Sequence, residues 1–443
     1  MVILIRPSVT ERKSDIPIDR ISALLRRRSN TQDSALGIMG SLKRDIAILK
    51  SSEGYLYAGY PNFMALFGRD SLISSWQLLD YDPSIAKSSL AALARLQGKK
   101  VDYDTAEEPG KILHEYWPES SRDLYSTYKT HVEWLKVGKP VYYSVDSTPL
   151  FLTVLDKYVK KTHDIQFLNE IWPSAVNAIR WILKYGMRED GFLKYDTRTS
   201  DKGLPSQSWK DGAGNILEQL SSPVAIVEVQ GYLYLSLLSA GRLARLTGDS
   251  ELEGHMNSMA SRLKARFNNT FWNEDTKFYA LAVDGAGKQL TPITSNPGQL
   301  LFTGILEKEK ADAVVKRLFQ KDMWTKYGIR THSMYDPAFK PRAYQRGAIW
   351  PHDNWIIAEG MGVMGYTEEA KRVRNAIALL FEESGERREY YGVWKNGRLI
   401  PKRLMSPKAC VPQAWATGAM VDILMHTRES DKIDYHPRES ASA

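Results

Sequence analysis

The sequence predicts an all-α fold, an (α/α)6 toroid, on three observations. Six polar or aromatic clusters each open an apolar run of helical period: Phe67-Gly68-Arg69-Asp70, Asp146-Ser147-Thr148-Pro149, Ser222-Pro223, Asn296-Pro297, Trp350-Pro351-His352-Asp353 and Pro412-Gln413-Ala414-Trp415. Five of the six carry a proline, which suits the first position of a helix because its missing N–H would have no intrahelical partner there. Between successive openings lies room for one loop and one further helix. Six helix N-termini would then point at one place.

In chain order, residues 1–17 read as a disordered or extended tail, 18–430 as a single (α/α)6 catalytic domain and 431–443 as a polar tail. Apolar periodicity predicts helices over about 32–50, 70–80, 84–98, 148–161, 165–186, 223–247, 250–269, 297–305, 307–320, 351–363, 367–383 and 411–426. Those starting near 70, 148, 223, 297, 351 and 411 follow the openings. They are apolar and rich in small residues, as in Ala414, Ala416, Gly418 and Ala419. The alternate helices are more charged, as in Glu368-Glu369-Ala370-Lys371-Arg372. Apolar helices fit an inner ring and charged ones an outer ring. Long connections at 99–145, 187–222, 321–350 and 384–410 are rich in Gly, Pro, Tyr and Trp, and loops of this length in compact domains are usually functional. Alternating strand patterns and Gly-rich phosphate loops are both missing, which disfavours a sandwich or a dinucleotide-binding sheet.

A chain of 443 residues can bury a large core. Lys+Arg 60 against Asp+Glu 52 leaves a net +8, spread along the chain, with Arg26-Arg27-Arg28 and the Lys157–Lys161 stretch the densest runs. Runs of this size are ordinarily solvated helix faces. No basic stripe carries interleaved aromatics, so nucleic acid is not an expected partner. Cys410 is the only cysteine, and no internal disulfide can form. The run Val2–Ile5 is too brief for a signal segment or a membrane span, and a cytoplasmic location with no membrane partner is expected. The 12 Trp and 23 Tyr are a heavy load for a helical protein. Such aromatics are often core. With acids and amides they are also what sugars require, because a ring's C–H face stacks on an aromatic while its hydroxyls take bidentate polar partners.

Asp211 lies in Ser208-Trp209-Lys210-Asp211-Gly212, the loop feeding the third inner helix. A neighbouring indole would raise its pKa by desolvation and keep it protonated, as a general acid needs. Lys210 would oppose this if its amine turned inward. A turn-forming Asp before Gly212 is the plainer reading. Glu389 lies in Arg388-Glu389-Tyr390-Tyr391-Gly392, before the sixth inner helix. Arginine nearby and exposure to water would keep it ionised, as a general base needs. A surface glutamate in the charged stretch from Glu382 is the alternative. In a closed ring the third and sixth inner helices stand opposite. Their loops would present carboxylates to opposite faces of a sugar, about 6.5–9.5 Å apart in an inverting hydrolase.

Arg69-Asp70 would clamp two vicinal hydroxyls, with Asp70 also suited to cap its helix. Trp350, His352 and Asp353 would line the same pocket, and His114-Glu115 would reach it from the loop after Glu108. No His/Cys set has metal-ligand spacing, so neither metal nor cofactor is expected.

Leu66–Leu72, Glu107–Glu115, Tyr143–Phe151, Ser208–Asp211, Val229–Tyr232, Thr294–Gly298, Gly347–Asn354 and Pro412–Trp415 resemble the catalytic domain of glycogen-debranching, amylo-α-1,6-glucosidase-like proteins. That group is similar to glycoside hydrolase family 63, trehalases and glucoamylases, all six-hairpin glycosidase-like toroids. The resemblance runs from about residue 55 to 425. It implies an inverting, exo-acting α-glucosidase with Asp211 as acid and Glu389 as base; Glu382, Glu383 and Glu386 are rivals for the base. It implies glucose recognition by Arg69 and Asp70, with Trp209, Trp350, His352 and Gln413 around the sugar. Phe67, Glu108, His114, Glu115, Asp146, Lys210, Gln230, Asn296, Asp353 and Trp415, in or beside the matched stretches, complete the expected substrate-contacting set. The expected partner is a carbohydrate α-glucoside, small or a short malto-oligosaccharide. Two other readings stay open: a sugar epimerase or isomerase on the same toroid, and a non-catalytic glycan-binding protein.

Overall fold

The computed structural model of the protein describes residues 33–128, 135–196, 204, 206–212, 214, 216–406 and 408–433. The expected tail 1–17 and all but the start of the expected tail 431–443 lie outside the described residues. The helices that build the fold are α1 (Asp33–Leu49), α2 (Gly68–Gln77), α3 (Pro83–Arg95), α4 (Arg122–Tyr128), α5 (Ser147–Thr162), α6 (Ile165–Trp181), α7 (Val227–Leu246), α8 (Ser250–Thr270), α9 (Lys308–Leu318), α10 (Pro351–Val363), α11 (Thr367–Ser384) and α12 (Ala414–Ile433). A 3-10 turn, Asn296–Leu300, stands where a helix over 297–305 was expected.

Packing closes the ring. α2 touches α5, α5 touches α7, α7 touches the Asn296–Leu300 turn, the turn touches α10, α10 touches α12, and α12 returns to α2. Outside this cycle α3 packs on α2, α6 on α5, α8 on α7, α9 on the turn, α11 on α10 and α1 on α12. The protein is therefore an (α/α)6 toroid whose last hairpin is completed by its first helix.

The two rings start differently. Three outer helices, α3, α6 and α8, are capped by aspartates: Asp82, Asp164 and Asp249 accept from the backbone N–H of Ser84, Phe167 and Leu252, each at 3.0 Å. At the inner helices the N-caps Phe67, Asp146, Ile226 and Trp350 make no side-chain cap bond. Their first turns are buried, as at Gly68–Ser71 and Pro351–Asn354. Inner helices also lie close together through small residues. A Cβ on Gly360 of α10 would stand 2.4 Å from the Phe302 amide nitrogen, and one on Gly231 of α7 would stand 2.7 Å from Leu300 Cδ2.

The proline rule needs correction. Pro351 does begin α10, and Pro297 sits in the first two positions of the 3-10 turn. Pro223 and Pro412 lie ahead of α7 and α12. At these two entries the chain is engaged in extended pairing: Val224 bridges Tyr195, Ala225–Ile226 pairs with Ala282–Val283, and Gln413 bridges Gly59. Helix formation waits until those backbone groups are used. Beyond the 3-10 turn the chain bends away at Gly304, which takes a left-handed φ of +79°. Among the described residues no helix is long and apolar enough to cross a membrane.

Gly360→Ala tests the close approach of α10. Overpacking of this kind costs about 1–3 kcal/mol. The variant is expected to lower the urea midpoint with an unchanged m-value.

Candidate active site

The first strand pair brings two of the predicted motifs together. Leu66–Phe67 pairs antiparallel with Glu115–Tyr116, and the Gly68 N–H bonds the His114 carbonyl at 3.0 Å. Phe67 packs edge-on to the His114 ring at 5.5 Å. Burial, then Arg69 and Lys111, hold His114 down at about 3, so it is neutral.

Arg69 joins three inner-helix entries. Its guanidinium donates to Asp146 at 2.7 Å and to Asp211 at 2.7 Å. Both nitrogens of the expected hydroxyl fork are thus taken by carboxylates, which corrects the clamp reading of Arg69. Asp146 is fully buried and also accepts from Ser144 Oγ at 2.6 Å. It is the anchor of Arg69, in place of the sugar contact expected of it. Asp70 makes no cap bond. Burial raises its pKa well above the usual range against the pull of Arg69, with Asp211, Glu389 and Asp146 adding to the rise.

Asp211 and Glu389 are held by neighbours in one loop. Gln345 Nε2 donates to Asp211 Oδ1 at 3.4 Å, and its amide oxygen accepts from Gly212 N–H at 2.9 Å. Tyr344 donates its hydroxyl to Glu389 Oε1, and the Cys410 N–H bonds Oε2 at 3.3 Å. Burial raises the Asp211 pKa, opposed by Arg69 and the Gln345 bond. Glu389 is 2% exposed. Burial lifts it to about 7, opposed by the Tyr344 and Cys410 bonds and assisted by the charge of Asp211. This corrects the expectation that water and arginine keep Glu389 ionised: burial outweighs the pull of Arg388, which bonds Glu386 at 3.1 Å. The rivals are engaged elsewhere: Glu383 pairs with Lys326 at 2.9 Å, Glu386 bonds Lys402 and Arg388, and Glu382 is exposed.

Aromatic rings form the wall. Trp209 packs edge-on to Trp350 at 5.6 Å and to His352 at 5.1 Å, and His352 stacks on Trp415 at 3.8 Å. Trp350 stacks on Tyr390 at 5.4 Å and meets Tyr344 edge-on at 4.7 Å. Trp209 Nε1, Trp415 Nε1, His352 Nδ1 and Gln413 Oε1 are buried and unpartnered among the described residues. Buried polar atoms require partners, and those of Trp209, His352 and Trp415 belong to rings packed on one another. Glu115 joins this group. Its carboxylate accepts from Trp117 Nε1 at 2.6 Å, and burial lifts it to about 7 with a contribution from Asp211.

Several expected contacts serve the scaffold instead. Gln230 is stitched to Leu193 N and O at 2.9 and 2.8 Å. Asn296 donates to Glu228 at 2.9 Å, and Asp353 takes the Gln299 amide. Lys210 turns inward, donates to Thr331 O at 2.8 Å, and is held down at about 8 by burial, against Asp353 and Glu228. Glu108 accepts from Trp181 Nε1 at 2.7 Å. All but the half-exposed Glu108 are drawn into the packed layer beneath the loops, and each finds a hydrogen-bond partner. Tyr344 and Gln345 were missed by sequence reasoning. Their signal was an aromatic–amide pair in the long loop ahead of Gly347-Ala348-Ile349-Trp350. Among the described residues no group of three or more His, Cys, Asp or Glu is arranged to hold a metal.

Solved structures share this architecture. The GH63 mannosylglycerate hydrolase of Thermus thermophilus bound to Tris and D-glycerate superposes with a TM-score of 0.67 at 16% identity, covering 88% of this chain and 100% of that one. The same enzyme in complex with glucose gives 0.65 at 16%, covering 88% and 99%. The fold is that of the GH63 toroids. Residues 67–393 match the mannosylglycerate hydrolase MGH1-like glycoside hydrolase domain, and the chain belongs to that family. The kinship with family 63 implied by the motifs is borne out. Mannosylglycerate hydrolase MGH1 of Selaginella moellendorffii is 32% identical over 153 residues, 34% of this chain and 30% of that protein. A mannosylglycerate hydrolase from another strain of Thermus thermophilus is 27% identical over 127 residues, 29% of this chain and 31% of that protein. The aligned stretches thus span less than a third of these relatives.

Glu389→Gln removes a buried charge. The folded-state pKa of about 7 exceeds the usual 4.5, so ionisation destabilises the fold increasingly as pH rises from about 4.5 through 7. The variant is expected to melt higher than wild type at pH 8, and the gain should shrink toward pH 5.

Proposed function

We propose that this chain is an inverting glycoside hydrolase that cleaves the α-bond between a terminal hexose and a small acidic aglycone of the glycerate class. Asp211 protonates the glycosidic oxygen as the aglycone leaves. Glu389 takes a proton from the water that attacks the anomeric carbon from the opposite face. Asp70, Glu115, Gln413 and the ring wall of Trp209, Trp350, His352 and Trp415 hold the sugar. The observation that carries this reading is the pair of carboxylates, half-buried Asp211 and buried Glu389, held from one loop beside that wall.

The charges suit the roles. Asp211 must be protonated while bonded to a guanidinium, which favours its ionised form. Asp146 shares Arg69 and offsets that pull, and burial leaves Asp211 raised overall. Glu389 must ionise although buried, and Tyr344 and Cys410 supply donors for its charge.

The acidic aglycone draws support from the family name, from the relatives called mannosylglycerate hydrolases, and from surface charge. The hairpin that follows Glu389 exposes Lys395, Arg398, Lys402, Arg403 and Lys408, with no acid between residues 394 and 408. Lys340 and Arg342, on the loop bearing Tyr344, are also exposed. A field of one sign favours encounter with anionic substrates. The motif resemblance supports a second reading, hydrolysis of neutral short malto-oligosaccharides.

A panel of α-glucosylglycerate, α-mannosylglycerate, maltose and isomaltose separates the two. The glycerates are expected to give the higher kcat/KM, and a preference for maltose or isomaltose would select the neutral reading. Asp211→Asn should lower kcat by at least about 100-fold with folding intact. Near-normal turnover would end the assignment. Because the base works ionised and the acid protonated, kcat/KM should be bell-shaped in pH, with the limb set by Glu389 near 7.

A further inference from the structure

We propose that Tyr344 and Gln345 are a positioning pair, in which adjacent residues each hold one of the two reacting carboxylates and so fix the span between acid and base. This rests on the reading of Asp211 as acid and Glu389 as base. Tyr344 reaches the base through its hydroxyl, and Gln345 reaches the acid through its amide nitrogen at 3.4 Å. Gln345 grips the acid's own loop as well, donating to the Trp209 carbonyl at 2.5 Å and accepting from Gly212 N–H at 2.9 Å.

The pair is itself immobilised. Trp350 Nε1 donates to the Tyr344 carbonyl at 2.6 Å, and the Tyr344 ring meets Trp350 at 4.7 Å and Tyr390 at 5.1 Å. Gln345 is 5% exposed. A Cβ on Gly212 would lie 2.8 Å from Tyr344 Cδ1 and 3.1 Å from Gln345 Oε1, so the acid's loop rests directly on both side chains. Loops that come from opposite sides of the ring are thereby referenced to a single peptide unit. An inverting site needs that, because the attacking water fits only when the carboxylate separation is kept.

Each residue also touches a different ionisation. Glu389 faces Tyr344, Arg388, Asp211 and Asp70, beside the Cys410 thiol and Tyr390. Asp211 faces Arg69, Asp146 and Asp70, with Glu115, Glu389 and Tyr344 further round the site. Within these sets the Tyr344 hydroxyl favours the charged form of Glu389, and the Gln345 amide favours the charged form of Asp211. Losing either bond raises the pKa of its own carboxyl.

The test compares wild type, Tyr344→Phe and Gln345→Met on two substrates, α-glucosylglycerate and α-glucosyl fluoride. Water adds to the anomeric carbon in both, with its proton going to the base. The glycerate oxygen must be protonated to leave, whereas fluoride departs as the anion. Tyr344→Phe is expected to move the limb of kcat/KM set by Glu389 to higher pH and to lower activity on both substrates. Gln345→Met is expected to move the limb set by Asp211 to higher pH on the glycerate. It should cut that activity at least about tenfold more than fluoride hydrolysis, since a misplacement of about 1 Å costs on the order of 100-fold. Unchanged limbs in both variants, or equal losses on the two substrates for Gln345→Met, would overturn the proposal. Asp211→Asn and Glu389→Gln are run alongside. If they retain wild-type turnover on both substrates, the acid–base reading itself has failed, a result distinct from failure of the positioning pair.

Discussion

The site depends on one buried cation. Arg69 enters at the start of α2, 4% exposed, and bonds Asp146 at the start of α5 and Asp211 ahead of α7. A buried guanidinium without partners would be costly, and removing one member of such a set leaves an uncompensated charge. The triad therefore fixes three loop ends relative to one another. It also sets the electrostatics of the centre, because Asp146 neutralises part of the charge that would otherwise hold Asp211 fully ionised.

Around this triad the protein keeps its carboxyl groups out of water and regulates each by donors. Asp70, Glu115, Asp211 and Glu389 are all raised by burial. They differ in what opposes the rise: Arg69 for Asp70, an indole N–H for Glu115, Arg69 and an amide for Asp211, and a phenol and a backbone N–H for Glu389. Perturbed carboxyls gathered beside unpartnered aromatic N–H groups mark a functional centre. The ring geometry explains why they gather. Inner helices without side-chain caps bring their loops inward, and the outer helices, three of them capped by aspartates, carry the solvent face.

The helical ring was legible because its signal is periodic. Eleven of the expected helices were found, all close to their expected bounds except α12, which runs on to Ile433, and the twelfth became the turn Asn296–Leu300. The entries at Pro223 and Pro412 were misread because extended pairing with Tyr195, Ala282 and Gly59 is non-local and leaves no local pattern. Asp211, Glu389 and the Trp209, Trp350 and His352 group came together as their motifs indicated. The ionisation of Glu389 was misjudged, since Arg388 one residue away points to Glu386. Gln230, Asn296 and Asp353 lay in matched motifs yet serve the scaffold, because a motif does not tell which side chain faces the centre and which faces the packed layer. Tyr344 and Gln345 have no motif. Their importance arises only when the loops before α7, α10 and α12 are folded against each other.

The central claim is that water attacks from the face opposite the departing aglycone, between carboxylates supplied by facing loops. Proton NMR of the sugar released from an α-glycosylglycerate in the first minutes of reaction tests this most directly. The account predicts the β-anomer first, with the α-anomer growing only by mutarotation. Initial release of the α-anomer would contradict it.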